Sequence, residues 1–257
     1  MESASIAGIR LIAHESVGST NAEALALARE GVRDPVWITA RRQTAGRGRR
    51  GREWDSPPGN LYATLLLPNP CEPEIAPQLS FVAGLALHDA VLSSAPMLAA
   101  RLTLKWPNDL LLDREKLAGI LVEGERLDDG AFAAVVGIGV NCASHPDITP
   151  YPATNLARAG APVLVGALLE CLGEAMTERL AQWRRAGFAS VRNDWLARTW
   201  RVGEAIRLRT PEEVEGRFAG IDAHGRLLLG TGSDGVRTIA AGDVMPARAH
   251  MAGENAQ

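Results

Sequence analysis

The spacing of apolar residues sorts the chain into helical and extended stretches. Ile75–Ser94 carries apolar positions at helical intervals and predicts a core helix; Val163–Phe188 and Ala189–Thr199 read the same way. A shorter helix is expected from about Asn21 to Glu30. Thr20 and Glu23 have the spacing of a capping box, and Gly31 suits the C-terminal cap. Strands are expected at Ile9–Ala13, Pro35–Ala40, Leu61–Leu67, Arg101–Lys105 and Phe132–Val140. Asp109–Leu112 and Leu117–Glu123 read as a hairpin with a tight turn at Asp113-Arg114-Glu115. Arg41–Gly59 reads as a loop, stopped by Pro57-Pro58-Gly59. From about Val202 short strands alternate with turn residues, His224-Gly225 and Asp234-Gly235 being hairpin signals. The pattern predicts an α+β fold with a mixed β-sheet, then a small β-barrel or sandwich over about 202–248 and a disordered tail, 249–257.

Composition narrows what such a fold can be. A chain of 257 residues buries enough surface to fold without a disulfide or a structural metal. Its three cysteines form no CxxC and no Cys/His metal spacing, so free thiols in a reducing cytoplasm are expected. The first residues lack the basic and apolar regions of a signal peptide, and no apolar run is long enough to span a membrane. The net charge of -3 argues against a dedicated nucleic-acid binder.

One segment departs from that average. Arg41 to Arg52 holds six arginines in twelve positions and no acid. Gly46-x-Gly48-x-x-Gly51 matches the dinucleotide fingerprint literally, but that motif needs a helix to open at its third glycine. Here Glu53-Trp54-Asp55-Ser56-Pro57-Pro58-Gly59 follows and cannot propagate one. The segment reads instead either as a solvated basic loop or as an anion clamp. In a clamp, glycines admit backbone N–H groups to an oxyanion and arginines neutralise phosphate. Six like charges on one loop would repel one another without a polyanionic ligand.

A second segment carries complementary chemistry. Lys105-Trp106-Pro107-Asn108-Asp109 leaves a strand, and Lys116 follows at the turn end of the expected hairpin. Gly119 permits close approach of a ligand or backbone. Gly137-Ile138-Gly139-Val140-Asn141 ends another strand with paired glycines that suit a pocket wall. Taken singly, Lys116 reads as a solvated turn lysine and Asp109 as a turn cap. Together with the arginine loop they suggest a nucleotide site.

These segments, in this order, resemble the catalytic core of biotin–protein ligases (biotin–acetyl-CoA-carboxylase ligases). The matching pieces are Ser19-Thr20-Asn21, Gln43 with Ala45 to Arg52 and Trp54, Asn60-Leu61-Tyr62, Lys105 to Asp109, Lys116 to Glu123, and Gly137 to Asn141. The resemblance spans about residues 15–141. It implies a biotin/lipoate-ligase type catalytic domain over 1–200 and an SH3-like β-barrel over 201–248. It also implies ATP-dependent attachment of biotin to a carrier-protein lysine through biotinyl-5′-AMP, with Mg²⁺ accompanying ATP and no motif that names metal ligands.

Carried over residue by residue, Lys116, Arg49, Lys105 and Asp109 are the expected catalytic set. Ser19, Thr20, Asn21 and Gln43 would face the biotin ring system. Gly46, Arg47, Gly48, Arg49 and Lys116 are further expected biotin contacts, Lys116 bridging its carboxylate and the α-phosphate, and Gly119, Leu121 and Gly137 would line its apolar slot. Arg47, Arg49, Arg50, Trp54, Asn108, Lys116 and Asn141 are the expected ATP contacts. The implied partner is the biotin carboxyl carrier protein of acetyl-CoA carboxylase, and the expected assembly is a monomer or weak homodimer.

Two departures stand out. Ser19 lies too close to Met1 for the N-terminal helix-turn-helix of the repressor members, so a ligase without that role is expected. The C-terminal Gly242-Asp243-Val244 run places Arg248 one step later than the family's arginine, which puts that contact to ATP in doubt. A lipoate or octanoate ligase and a nucleic-acid-binding module are the alternative readings.

Overall fold

A computed structural model of the protein describes residues 4–147, 149, 151–200, 202–209, 213–232 and 235–246. The expected tail 249–257, Arg248 and Asp234 of the second hairpin signal lie outside the described residues.

Eight strands form one mixed sheet: β1 (Ser5–Ile6), β2 (Ile9–Val17), β3 (Val36–Gln43), β4 (Leu61–Pro68), β5 (Leu102–Lys105), β6 (Asp109–Leu112), β7 (Glu115–Arg126) and β8 (Phe132–Val140). Their spatial order is β1-β2-β3-β4-β8-β7-β6-β5. Only β2 and β3 run parallel, joined by the crossover helix α1 (Thr20–Arg29). The other neighbours are antiparallel, as short connections require.

Alternation in the strands assigns the two faces. Trp37, Leu65, Ala134 and Val136 join the larger core. Their neighbours Ile38, Leu66, Ala133 and Val135 point the other way, against Ala24 and Ala28 of α1. The larger core is covered by α2 (Leu79–Ser94) and α3 (Val165–Arg198). α2 is buried along most of its length, so its sequence is apolar on nearly every side.

Several expected boundaries shift, and β3 runs on to Gln43, into the expected loop. β2 and β7 run well beyond the apolar cores expected of them, because pairing with β3 and β8 continues through polar residues. α2 is preceded by a 3₁₀ turn at Ala76–Gln78. The two expected C-terminal helices are one element interrupted at Gly187, whose φ of 68° is open to glycine. The Thr20–Glu23 capping box does not form: Ser19 is the N-cap and makes no side-chain cap, and the Thr20 hydroxyl turns inward.

The second sheet is antiparallel: β9 (Ala205–Arg209), β10 (Val214–Ile221), β11 (Leu227–Gly230), β12 (Val236–Ile239) and β13 (Asp243–Pro246), in the order β12-β11-β10-β9-β13. It is open, since the edge strands β12 and β13 do not pair among the described residues. Among the described residues no closed barrel is found. Ile206, Leu208, Phe218 and Leu227 join the same continuous core as α2 and α3. Trp106 Nε1 donates to the Gly225 carbonyl at 2.9 Å, tying the two sheets together.

Candidate functional site

A cleft with room of about 190 Å³ opens where the C-terminal ends of β2 and β3, the hairpin β6–β7 and the edge of the second sheet converge. Its floor is set by register. Gly119 pairs with Gly139 and Leu121 with Gly137, so alternation turns these four toward the cleft, while Ile120 and Ile138 pack into the core. Three glycines in that row leave a trough where side chains would stand. The Trp54 indole lies across it: a Cβ on Gly139 would come within 2.6 Å of Trp54 Nε1, and one on Gly119 within 3.2 Å of the ring. Trp54 Nε1 itself is buried without a partner.

One end of the trough is a polar network. Gln43 Oε1 accepts from the Thr20 N–H at 2.8 Å and from its hydroxyl at 3.1 Å, while Gln43 Nε2 donates to Ser56 Oγ at 3.0 Å. Thr64 Oγ lies 2.7 Å from Asn21 Oδ1, and Asn21 Nδ2 donates to Glu123 at 2.8 Å. Ser19, Thr20 and Asn21 are all buried here at the start of α1. Thr64 and Ser56 carried no signal in the sequence, because each is an isolated hydroxyl. Glu123 lay within a matching motif but was given no role.

The other end holds the charges. Asp109 is buried and forms ion pairs with Lys105 Nζ at 2.9 Å and Lys116 Nζ at 2.7 Å. Burial alone would raise the Asp109 carboxyl, but the two ammonium charges and their hydrogen bonds outweigh it. The result lies well below the usual carboxylate range. Lys105 is itself buried, with its Nζ 3.8 Å from the centre of the Tyr151 ring and 3.4 Å from the Val244 carbonyl. Lys116 is the more open of the two and faces the cleft. Burial, and then the Asp109 charge, push the Tyr151 hydroxyl up to about 12, so it stays protonated. Tyr151 went unnoticed in the sequence because it stands alone in a proline-rich stretch. A strap puts it there, pairing the Lys116 N–H with the Pro152 carbonyl and the Thr154 N–H with the Lys116 carbonyl.

The arginine segment is a folded hairpin. The Trp54 N–H donates to the Gly46 carbonyl at 2.9 Å and the Gly48 N–H to the Arg52 carbonyl at 2.7 Å. That N–H is thus used within the loop rather than left for an oxyanion. Gly46 admits no side chain because Trp54 and Ser56 pack against it. The expected self-repulsion is relieved by carboxylates from elsewhere in the chain. Arg41 pairs with Glu15, Arg47 with Glu123 at 3.6 Å, and Arg49 and Arg52 with Asp243 at 3.8 and 3.0 Å. Arg49 also donates to Asn108 Oδ1 at 3.2 Å, and its pKa is lowered, chiefly by burial.

Of the expected site residues, all but Gly46 and Arg50 line the cleft. Arg50 is exposed at the hairpin tip with a φ of 58°, so the structure does not bring it to the proposed nucleotide. Asn141 is buried and holds the strap through the Thr154 carbonyl at 3.0 Å. Asn108 similarly bridges Arg49 to the Ile120 carbonyl. The second sheet contributes Asp243, Met245 and Arg209, which sequence spacing alone could not bring to the site.

Residues 15–141 match the biotin/lipoate A/B protein ligase family, and residues 202–245 match the biotin protein ligase C terminal domain. The chain is 47% identical over 235 residues to the biotin–[acetyl-CoA-carboxylase] ligase of Paracoccus denitrificans, covering 88% of this chain and 96% of that one. The chain belongs to the biotin–protein ligase family. It is 30% identical to the bifunctional ligase/repressor BirA of Bacillus subtilis, covering 93% of this chain and 74% of that protein. The biotin protein ligase from Aquifex aeolicus in complex with biotin and ATP superposes with a TM-score of 0.77 at 29% identity, over 91% of this chain and 97% of that one. Among the described residues β1 and β2 are the elements that precede α1. Among the described residues no helix is long and apolar enough to cross a membrane.

Proposed function

We propose that this biotin–protein ligase joins biotin to a lysine of a biotin carboxyl carrier protein, that of acetyl-CoA carboxylase, in two steps. The biotin carboxylate attacks the α-phosphorus of ATP, the bond to the bridging oxygen breaks, and pyrophosphate leaves. The carrier lysine amine then attacks the biotinyl carbonyl of biotinyl-5′-AMP, releasing AMP and a proton. The observation that carries this reading is the junction in one cleft: a glycine-floored trough ends at Lys116, beside the arginine hairpin. An anionic carboxylate must meet an anionic phosphate at that junction, and a pre-set cation stabilises the charge that develops there.

Lys116 is the residue placed to touch both reacting groups, with Arg49 and Arg47 on the phosphate side. Lys105 lines the wall but is committed to Asp109, Tyr151 and Val244, so it acts by holding Asp109. Asp109, kept well below the usual range, is a poor proton acceptor at neutral pH; its role is to fix the two ammonium groups. Ser19, Thr20, Asn21 and Gln43 take the ureido ring, whose carbonyl and N–H groups match hydroxyls and amides. Gly119, Leu121 and Gly137 form the apolar slot, with Trp54 closing it toward the nucleotide. Asn108 and Asn141 act by positioning. Among the described residues no group of three or more acidic, His or Cys side chains could cage a metal, which suits Mg²⁺ carried in on the phosphates of ATP.

The SH3-like description of the second sheet, a boundary near residue 200 and a cytoplasmic location belong to the same reading. The unpaired Cys71, Cys142 and Cys171 support the location. The deciding experiment is ATP–pyrophosphate exchange with biotin, with lipoate and with neither. Exchange dependent on biotin is the expected result; exchange with lipoate alone would overturn the substrate.

A further inference from the structure

The cations that line the cleft are nearly all neutralised. Lys105 and Lys116 share Asp109, Arg47 meets Glu123, and Arg49 and Arg52 share Asp243. The exception is Arg209, at the end of β9. It lines the cleft, is exposed there, and has no hydrogen bond or ion pair among the described residues.

The placement of Arg209 is fixed by register. Ile206 and Leu208 point into the core, so Arg209 stands on the opposite face of β9. Asp243 of β13 is its direct cross-strand partner, and residues so paired share a face. Asp243 also lines the cleft, so that face closes the cleft on the side away from the trough. An opposite charge directly across the strand is the usual way to quiet a surface arginine. Here the Asp243 carboxylate reaches the arginine hairpin instead, 3.0 Å from Arg52. Among the described residues the guanidinium of Arg209 is left unneutralised, in the same cleft as Arg47, Arg49 and Arg52.

We propose that Arg209 holds the β- and γ-phosphates of ATP, and so the departing pyrophosphate, during adenylate formation. This rests on the ligase reading. With the α-phosphate at Lys116, as that reading has it, the rest of the triphosphate would extend along the cleft toward the arginine hairpin and Arg209, which line it. A planar guanidinium suits two phosphate oxygens at once. The role is confined to the first half-reaction, because biotinyl-5′-AMP carries no β- or γ-phosphate.

The test compares Arg209→Gln and Arg209→Lys with wild type in biotin-dependent ATP–pyrophosphate exchange. The same proteins are then given preformed biotinyl-5′-AMP and a carrier domain. Arg209→Gln should raise the KM for ATP about tenfold, the scale of one charge-assisted phosphate contact. The KM for biotin and the rate of transfer from the supplied adenylate should stay within about twofold of wild type, and Arg209→Lys should recover part of the loss. An unchanged KM for ATP would overturn the assignment. So would a transfer rate that falls in step with exchange, which would mark Arg209 as merely structural. Failure of the wild type to exchange with biotin would instead overturn the ligase reading itself.

Discussion

The Asp109 carboxylate carries more of the site's order than any other single side chain. It is buried, and two ammonium groups reach it from β5 and β7, the strands that flank β6. Replacing it by asparagine strands the buried Lys105 amine and sets two positive charges facing each other. Asp109→Asn should therefore lose on the order of 3 kcal/mol in urea unfolding at neutral pH, the scale of a broken buried pair. The pH dependence has a definite sign. A carboxylate held below its ordinary value contributes fully above about pH 4 and loses that contribution as pH falls toward its folded value. The stability gap between wild type and Asp109→Asn should thus narrow on acidification to about pH 3. A gap that stays constant would mean the pair does not set the protonation of Asp109. At this scale the sequence was legible where residues stand in one run, as in Lys105 to Asp109. It was silent on Asp243 and Tyr151, whose partners lie far away along the chain. It also misassigned Thr20, whose hydroxyl serves the half-buried Gln43 carbonyl rather than the helix end.

At the level of elements, the antiparallel register of β7 and β8 makes the trough, since it aligns Gly119 with Gly139 and Gly137 with Leu121. The paired glycines were visible in the sequence as a candidate wall. Their alignment was not, because register depends on which strands become neighbours. The same limit explains why β2 and β7 proved longer than their apolar cores suggest. Hydrophobic runs locate the buried middle of a strand, while its ends follow the partner's hydrogen bonds. Gly139→Ala tests the trough directly. Its methyl would stand within 2.6 Å of Trp54 Nε1, so the indole must leave its place. The fold has room to keep its sheet, and the damage should fall on ligand binding. The expected outcome in the exchange assay is a KM for biotin raised roughly tenfold, equivalent to about 1.4 kcal/mol, with the melting temperature nearly unchanged. A KM for biotin at the wild-type value would show that the trough is not the biotin slot.

For the whole molecule, the arginine hairpin of the catalytic sheet and the Asp243 edge of the second sheet are joined by charge across 191 positions of the chain. The two sheets also share one hydrophobic core, so the second sheet is a fixed wall of the cleft and Asp243 is a fixed anchor. Arg52 is half exposed, and pairs of that kind contribute only a few tenths to 1 kcal/mol each. Arg49 is less exposed and adds a bond to the Gly242 carbonyl, so the anchor as a whole is worth about 1–2 kcal/mol. Losing it should multiply the open population of the hairpin by roughly tenfold, since 1.4 kcal/mol is a factor of ten. The hairpin offers trypsin arginines at 47, 49, 50 and 52. When opening is fast, cleavage follows the open population. Asp243→Asn should therefore speed the first tryptic cut within 47–52 by about that factor. Biotin and ATP together should slow it again, because the adenylate replaces the missing carboxylate as partner for the arginines. An equal cutting rate in the two proteins would mean that the hairpin is held by its own backbone hydrogen bonds, with the second sheet contributing nothing to its closure.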